Sequence, residues 1–365
     1  MKICFLAGSN SIHSYKWINF FANKGHAVSW ISLAPSNFGK IEFANYHEII
    51  TSPVNIKTVL HAIVKTRKLI KEINPDIIHI HSAGTYGVVG SIAGWGYPQV
   101  ITVWGSDVIL GIKYWLRKLM LKFILSRAAL VTCDAEHMLK TMLKLGISKK
   151  KIRIINFGID THKFCVGNNC GHVREKLKIL AAPMIISLRS FEPIYDVSSL
   201  IGAIPFVLKE FPDAAFVLAG TGSLDQSLKA LVGKLMVGQN VRFIGMLKND
   251  ELPAYLQAAD LYVSTSLSDA GIAASTAEAM ACGLPVVITD SGENNLWVKD
   301  GTDGYIVPVS NPVILAERII HLLRNKELRD RMSARSREII KMKNDYWTEM
   351  EKMDKLYEVV FSVCR

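Results

Sequence analysis

Short apolar runs rich in Ile and Val recur along the chain, at Lys2–Ala7, Ala27–Leu33, Ile77–His81, Gln99–Val103, Leu130–Cys133 and Lys151–Ile155, with helical spacing of apolar residues between them. A strand exposed on one face alternates polar and apolar positions. These runs do not, so they predict strands buried on both faces, as in a parallel sheet covered by helices on either side. After the polar segment Val166–Lys178 the same pattern restarts, with runs at Met184–Leu188, Ala215–Ala219, Val241–Ile244, Leu261–Ser264, Val286–Thr289 and Tyr305–Val307. Strand and helix in alternation imply right-handed crossovers, and the chain reads as an α/β protein of two doubly wound, Rossmann-like domains. Helical periodicity fills Pro312–Asn325, Lys326–Lys341 and Asp345–Val363, with a break near Lys343–Asp345. The expected division is a first domain over 1–165, a second over 166–344, and a C-terminal helix, 345–365, returning to the first. Sheets of this kind bind ligands beyond the carboxyl ends of their strands, so a cleft between the two domains is the expected active site.

The length of 365 residues and 50% hydrophobic content agree with two cores. No apolar run approaches the roughly 20 residues of a membrane-spanning helix, and the opening MKICFLAGSN reads as strand and turn, not as a leader; a cytoplasmic location is expected. The six cysteines, at 4, 133, 165, 170, 282 and 364, form no zinc-type spacing and are expected as reduced thiols. His79 and His81 share one strand face without a third or fourth ligand at suitable spacing, so no metal is expected. Charge is lopsided: residues 1–165 hold 21 Lys and Arg against 8 Asp and Glu, within a chain of net charge +11. Such a surface suits nucleic acid, anionic lipid or a phosphorylated acceptor. No helix-turn-helix, zinc-finger or ribonucleoprotein pattern supports nucleic acid. Lys113–Phe123 interleaves cations with aromatic and aliphatic residues at helical spacing, which fits either an anionic membrane surface or an ordinary core-facing helix with a solvated basic side.

The segment Leu261–Asp290 carries the clearest chemistry. It reads as a buried strand, a loop of small residues from Thr265 to Ala274 that includes Asp269, Ala270 and Gly271, a helix around Thr276–Cys282, a Gly-Leu-Pro turn and another buried strand. Small side chains let a phosphate or sugar approach the backbone, and the free amides at a helix start carry partial positive charge. Glu278 is expected in the first helical turn, where it can accept hydrogen bonds from a ribose diol; complementing the helix dipole is the competing role. Here the chain resembles the family 4 glycosyltransferases of the GT-B fold. The string from Glu278 to Val287, EAMACGLPVV, follows that family's signature, and the likeness extends over nearly the whole chain.

The resemblance implies a retaining enzyme that takes a sugar from a nucleotide-diphosphate donor, a UDP-sugar by family habit, without metal or other cofactor. Glycan, glycolipid or cell-surface polysaccharide synthesis is the implied setting, with a glycan or lipid-linked acceptor. It assigns Glu278 to the donor and Arg189, at the end of Met184–Leu188, to the diphosphate, where an arginine fork also stabilises the leaving group. Gly220, Gly222, Met246 and Leu247 fall in glycine turns that border the nucleotide, with Met246 and Leu247 flanking the base; simple turn chemistry competes for the two glycines. Glu293 is assigned to ribose or sugar, with capping of a short helix by Ser291 or its neighbours as the other reading. The chain departs from the pattern in three places on this side and the next. Ala270 stands where the family has a sugar-binding glutamate, so Asp269 is expected to supply that carboxylate. Tyr195 stands roughly where a phosphate-binding lysine belongs, and Trp104 replaces a frequent histidine.

On the acceptor side the resemblance points to the loop Gly8–Ser14, with Gly8, Asn10 and His13, and to Trp104 and Asp107 beyond another strand end. Trp104 is expected to stack on a sugar face, Asp107 to bind or orient the acceptor, and His81 to line the cleft. Helix capping or packing competes for His13, and loop capping for Asp107. No first-half carboxylate stands out as a covalent nucleophile. Two rival functions stay open: a nucleotide-sugar 2-epimerase of the same fold, and a non-catalytic subunit that binds a nucleotide sugar or a partner protein.

Overall fold

The computed structural model describes residues 1–38, 41–109, 114–167, 171–179, 181–269 and 271–364, without the side chains of Ser106 and Ile109. Lys113, Cys170 and Ala270 lie outside the described residues. The chain forms two compact units, Met1–Phe157 with Trp347–Arg365, and Gly158–Tyr346.

The first unit runs β1 (Lys2–Leu6), α1 (Ile12–Asn23), β2 (Ala27–Ser32), β3 (Asn45–Glu48), α2 (Ile56–Ile73), β4 (Ile77–His81), α3 (Thr85–Ala93), β5 (Gln99–Thr102), α4 (Ser106–Ile109), α5 (Trp115–Arg127), β6 (Leu130–Cys133), α6 (Glu136–Lys144) and β7 (Ile152–Ile154). Its seven strands are all parallel, in the order β3-β2-β1-β4-β5-β6-β7. Successive side chains of one strand point to opposite faces. Cys4, Leu6, Ile78 and Ile80 therefore meet Ala62 and Ile70 of α2 and Val89 of α3, while Phe5 and His79 lie with Phe21 of α1 on the other side.

The second unit holds α7 (Gly171–Leu177), β8 (Met184–Ser187), α8 (Val197–Leu208), β9 (Ala215–Ala219), α9 (Asp225–Lys234), β10 (Val241–Gly245), α10 (Leu252–Ala258), β11 (Leu261–Ser264), α11 (Ala274–Ala281), β12 (Val286–Thr289), α12 (Asn294–Trp297), β13 (Tyr305–Val307), α13 (Pro312–Arg324) and α14 (Lys326–Lys343). Its parallel sheet has the order β10-β9-β8-β11-β12-β13. In both units the order reverses beside the first strand, which opens a crevice at the strand ends between β1 and β4 and between β8 and β11. The last helix, α15 (Tyr346–Cys364), packs in the first unit from Trp347 onward, where the Tyr357 hydroxyl meets His79 Nδ1 at 2.5 Å.

Strands stand where the apolar runs predict them, but β7 and β10, each at the edge of its sheet, are only partly buried. β3 has no such run: Asn-Tyr-His-Glu is a half-exposed edge, and only its pairing with β2 makes it a strand. The polar segment Val166–Lys178 is more than a break between the two repeating patterns. It contains α7, whose Val173 and Leu177 are buried and whose Arg174 donates to the carbonyls of Ala258 and Ala182 and to Asp260. The division expected at 165/166 accordingly falls at Phe157/Gly158, and the chain returns at Tyr346/Trp347. Four hydrogen bonds, three of them involving the backbone, form the junction there. Asn344, fully buried, accepts from Gly158 N at its side chain (3.1 Å) and from Ile159 N at its carbonyl (2.7 Å); Tyr346 N donates to Ile159 O (2.9 Å), and Thr161 Oγ1 to Asp345 (2.6 Å).

Among the described residues no helix is long and apolar enough to cross a membrane, and no group of three His, Cys, Asp or Glu could hold a metal ion.

Gly158 has φ +76°, and a Cβ there would lie 2.4 Å from Tyr346 Cα. Gly158→Ala is expected to lower stability by about 2 kcal/mol, because backbone strain adds to the steric clash. Gly25→Ala, at φ +92° but facing open space, is expected to cost about 1 kcal/mol. Urea midpoints of the two variants against the parent check the difference.

Candidate functional site

In the second unit the carboxyl ends of β8, β9 and β10 and the start of α11 surround a cavity of about 360 Å³ lined by Arg189, Gly220, Met246, Leu247, Ser275 and Glu278, among others. Arg189 follows β8 by two residues and is nearly buried. Its Nη2 donates to Asp269 Oδ1 at 2.6 Å, its Nη1 lies 3.4 Å from Ser275 Oγ, and the guanidinium sits 4.3 Å above the Tyr195 ring. Ser275 is itself fixed by the Tyr262 hydroxyl at 2.8 Å. The pair leaves Arg189 Nε and Asp269 Oδ2 buried without partners. An arginine held on one side by a carboxylate and on another by an aromatic ring keeps its fork in one orientation, with unspent hydrogen-bonding capacity at the cavity wall.

Three expectations change here. α11 begins at Ala274, so Glu278 lies beyond the first turn; its carboxylate lines the cavity from the side of the helix, and the dipole role fades with distance from the terminus. The residue at the helix start that the sequence reading passed over is Ser275, whose hydroxyl in the run Ala273-Ala274-Ser275-Thr276 was the available signal. Asp269 is spent on Arg189 and does not line the cavity, and Tyr195 backs the arginine instead of reaching the cavity in a lysine's place.

The glycines serve close packing. A Cβ at Gly220 would meet Arg189 O at 2.2 Å and one at Gly222 would meet Phe191 O at 2.5 Å, so the loop after β9 lies directly on the loop that carries Arg189. Gly220 also lines the cavity; Gly222 does not. Gly292, at φ +57°, leaves room for Asp269 O, which a Cβ would approach to 1.8 Å. Gly271 is buried in the same loop, and Ala270 lies outside the described residues. Glu293 is buried, stands at the N-cap of the short α12 without a side-chain cap bond, and is not among the cavity-lining residues; Ser291 does not cap that helix either.

In the first unit Asp107 ties two strand ends together. Its Oδ2 accepts from Ala83 N (2.7 Å), after β4, and its Oδ1 from Trp104 N (3.2 Å) and Val108 N (3.1 Å), after β5. The loop-capping role is thus the one the geometry supplies. His13 stacks on Trp104, with centroids 5.8 Å apart and planes inclined by 29°, and also meets Phe157. His13 is exposed by area, yet burial of its ring and then the charge of Lys16 lower its pKa. Asn10 is exposed beside Gly8, where a Cβ would approach Asn10 Oδ1 to 2.8 Å. His81 corrects the expectation of a cleft-lining residue. It is 2% exposed, lies under Trp104 and against Trp17, and contacts Ser14 Oγ through Nδ1 at 3.0 Å. It can shape this wall but cannot touch a ligand. Burial, with a smaller push from His13, takes its pKa down to about 3; burial holds His79 well below its ordinary range too.

Two doubly wound domains, with their distinctive side chains gathered at the strand ends, define a GT-B architecture. Residues 172–339 match the model of glycosyl transferases group 1, and residues 2–135 match that of glycosyl transferase 4-like. The chain belongs to this family and is a glycosyltransferase. A phosphatidyl-myo-inositol mannosyltransferase of Mycobacterium leprae is 30% identical over 169 residues, 46% of this chain and less than half, 44%, of that protein. An N-acetyl-alpha-D-glucosaminyl L-malate synthase of Bacillus anthracis is 25% identical over 332 residues, 87% of this chain and 85% of that one. Anabaena HepE, solved in complex with UDP, superposes with a TM-score of 0.83 at 18% identity over 98% of this chain and 100% of that one.

Removing the Asp269 carboxylate leaves Arg189 charged and nearly buried. Asp269→Ala is expected to destabilise the chain by roughly 3 kcal/mol, and added pyrophosphate is expected to raise its melting temperature more than the parent's, since the anion replaces the lost partner; differential scanning fluorimetry measures both. His79 and His81 stay neutral in the folded state and gain protons in the unfolded one, so their contribution is complete above the ordinary histidine value of 6.5 and falls as pH drops below it. Each is expected to cost about 1.4 kcal/mol per pH unit in that range. Urea unfolding between about pH 6.5 and 4.5, above most carboxylate titration, is expected to show a slope shallower by about one proton in His81→Gln.

Proposed function

We propose that the chain transfers a sugar, with retention of anomeric configuration, from a nucleotide-diphosphate sugar to a glycan or lipid-linked acceptor. The observation that carries this reading is the cavity at the ends of β8, β9 and β10, where Arg189, Ser275, the first turn of α11 and Glu278 converge. UDP is the favoured nucleotide, in keeping with the complex formed by Anabaena HepE. Met246, 76% exposed, and Leu247 offer an apolar rest for the base. Glu278 accepts hydrogen bonds from the ribose diol or the sugar. As the glycosidic C–O bond to phosphate lengthens, charge grows on the departing diphosphate, and Arg189 with the amides opening α11 stabilises it. Asp269 tempers that role by sharing the arginine, and Tyr195 keeps it in place. No covalent nucleophile or cofactor is assigned.

The acceptor half is the wall made by Asn10, His13 and Trp104, with Asp107 acting through the backbone it holds. Relatives whose names carry phosphatidyl-myo-inositol and L-malate favour a hydroxyl acceptor bearing anionic character. The basic α5 favours a peripheral position on the cytoplasmic face of a membrane. The 2-epimerase reading would need acid and base carboxylates in the first unit, where Asp107 is already taken up by three backbone amides. The non-catalytic reading draws on one observation, the engagement of Arg189 by Asp269 before any ligand arrives.

UDP-sugars are expected to raise the melting temperature of the protein and GDP- or ADP-sugars to do so less. Arg189→Ala is expected to lower kcat by about a hundredfold or more, and Glu278→Gln to act chiefly on donor KM, in a radiolabelled-sugar transfer assay. Nucleotide binding without transfer or hydrolysis across lipid and glycan acceptors would select the non-catalytic reading.

A further inference from the structure

A further cavity, in the first unit, is largely apolar and meets the wall described above at one end only. It measures about 680 Å³, within the range of small-ligand sites, and lies among α2, α3 and α5. Val59, Ile63, Val88 and Leu121 form its base, and Ile56, Leu60, Ile92 and Met120 stand around it at 80%, 57%, 42% and 43% exposure. Exposed aliphatic side chains gathered around an open cavity are costly in water and mark a binding surface. At one end the lining passes to Ala83, Gly84 and Asp107, the loops that Asp107 holds beside Trp104.

The charge around the cavity indicates the occupant. α2 carries five basic residues and α5 four, against the single acid Glu72, while α3 has no charged residue. Arg117 is in the lining itself, and Lys57, Lys65, Lys118 and Lys122 are exposed on the same two helices. On α5 the exposed side chains alternate between cations and Trp115, Leu116, Leu119 and Phe123. An apolar chain with an anionic head answers both features, and one chain together with a polybasic patch is the combination that holds a protein on a membrane when either alone is marginal.

We propose that this cavity takes one hydrocarbon chain of an anionic, phosphate-bearing lipid drawn from a bilayer, with the basic residues of α2 and α5 on the headgroups. Resting on the transfer reading, the lipid is the acceptor: its chain lies between α2, α3 and α5 and its head reaches the strand ends at Asp107 and Trp104. The cavity thereby selects acceptors that carry a chain.

Full-length protein is titrated calorimetrically with n-dodecyl phosphate and with inorganic phosphate, and sedimented with vesicles of phosphatidylcholine with and without phosphatidylglycerol. Dodecyl phosphate is expected to bind, inorganic phosphate not, and the anionic vesicles to carry the protein down. Leu60→Asp, at a position 57% exposed, is expected to weaken dodecyl phosphate binding about tenfold or more, the equivalent of one lost aliphatic contact. Val64→Asp, on the same helix and 69% exposed but outside the cavity, is expected to stay within about twofold of the parent. Equal losses in the two variants, binding of inorganic phosphate as tight as dodecyl phosphate, or vesicle binding that only charge reversal at Arg117 and Lys118 affects would overturn the proposal. So would self-association that Leu60→Asp removes without any vesicle binding. The UDP-induced melting shift is read in the same samples: its absence with chain binding intact sinks the donor assignment and leaves the cavity standing, and the reverse result sinks the cavity alone.

Discussion

Along the strands beside the switch points a buried polar side chain finds few partners, and His81 Nε2 in β4 and Ser187 Oγ in β8 have none. Polar side chains with chemistry to offer are therefore forced to the strand ends. Arg189 lies just past β8, Trp104 and Asp107 just past β5, and Asn10 and His13 past β1. His79 shows what the rule demands of an exception: within β4 it is neutral and bonded on both ring nitrogens, to Tyr357 at 2.5 Å and to Thr102 at 2.7 Å. The rest of the design, glycines that let loops lie on one another and hydroxyls that aim neighbouring groups, follows from crowding chemistry into those few turns.

The Arg189–Asp269 pair is the electrostatic centre of the site in the second unit. A charged guanidinium can remain in this nearly buried place only with a partner, and Asp269 provides it from a loop that Gly292 allows to come close. The same contact lowers the net positive charge available to a phosphate. The arginine is thereby held in one orientation, flanked by Tyr195 and Ser275, with its Nε buried and without a partner.

The strand ends of the first unit are organised differently. Its polar groups mostly hold the wall: Asp107 joins the loops after β4 and β5, Ser14 holds His81, and His81 supports Trp104. The features turned outward are aromatic, apolar and cationic, a composition suited to an amphipathic acceptor more than to a small, fully polar one.

The parallel sheets, the two-domain plan, the family and the region Leu261–Asp290 were legible in the sequence, because buried strands need uninterrupted apolar runs and close backbone contacts need small residues at set spacings. Arg189, Glu278, Met246 and Leu247 were pointed to by the family resemblance, and the fold brings all four to the lining of one cavity. What the sequence could not supply was the partner of each group. β3 exists only through β2, α7 occupies part of a polar stretch between the two repeating patterns, and Asp269, Tyr195, His81 and Asp107 took their roles from residues far away in the chain. Local pattern determines which side chains are buried and which elements form, whereas a carboxylate's choice between a ligand, an arginine and a set of backbone amides depends on distances that only the folded backbone sets.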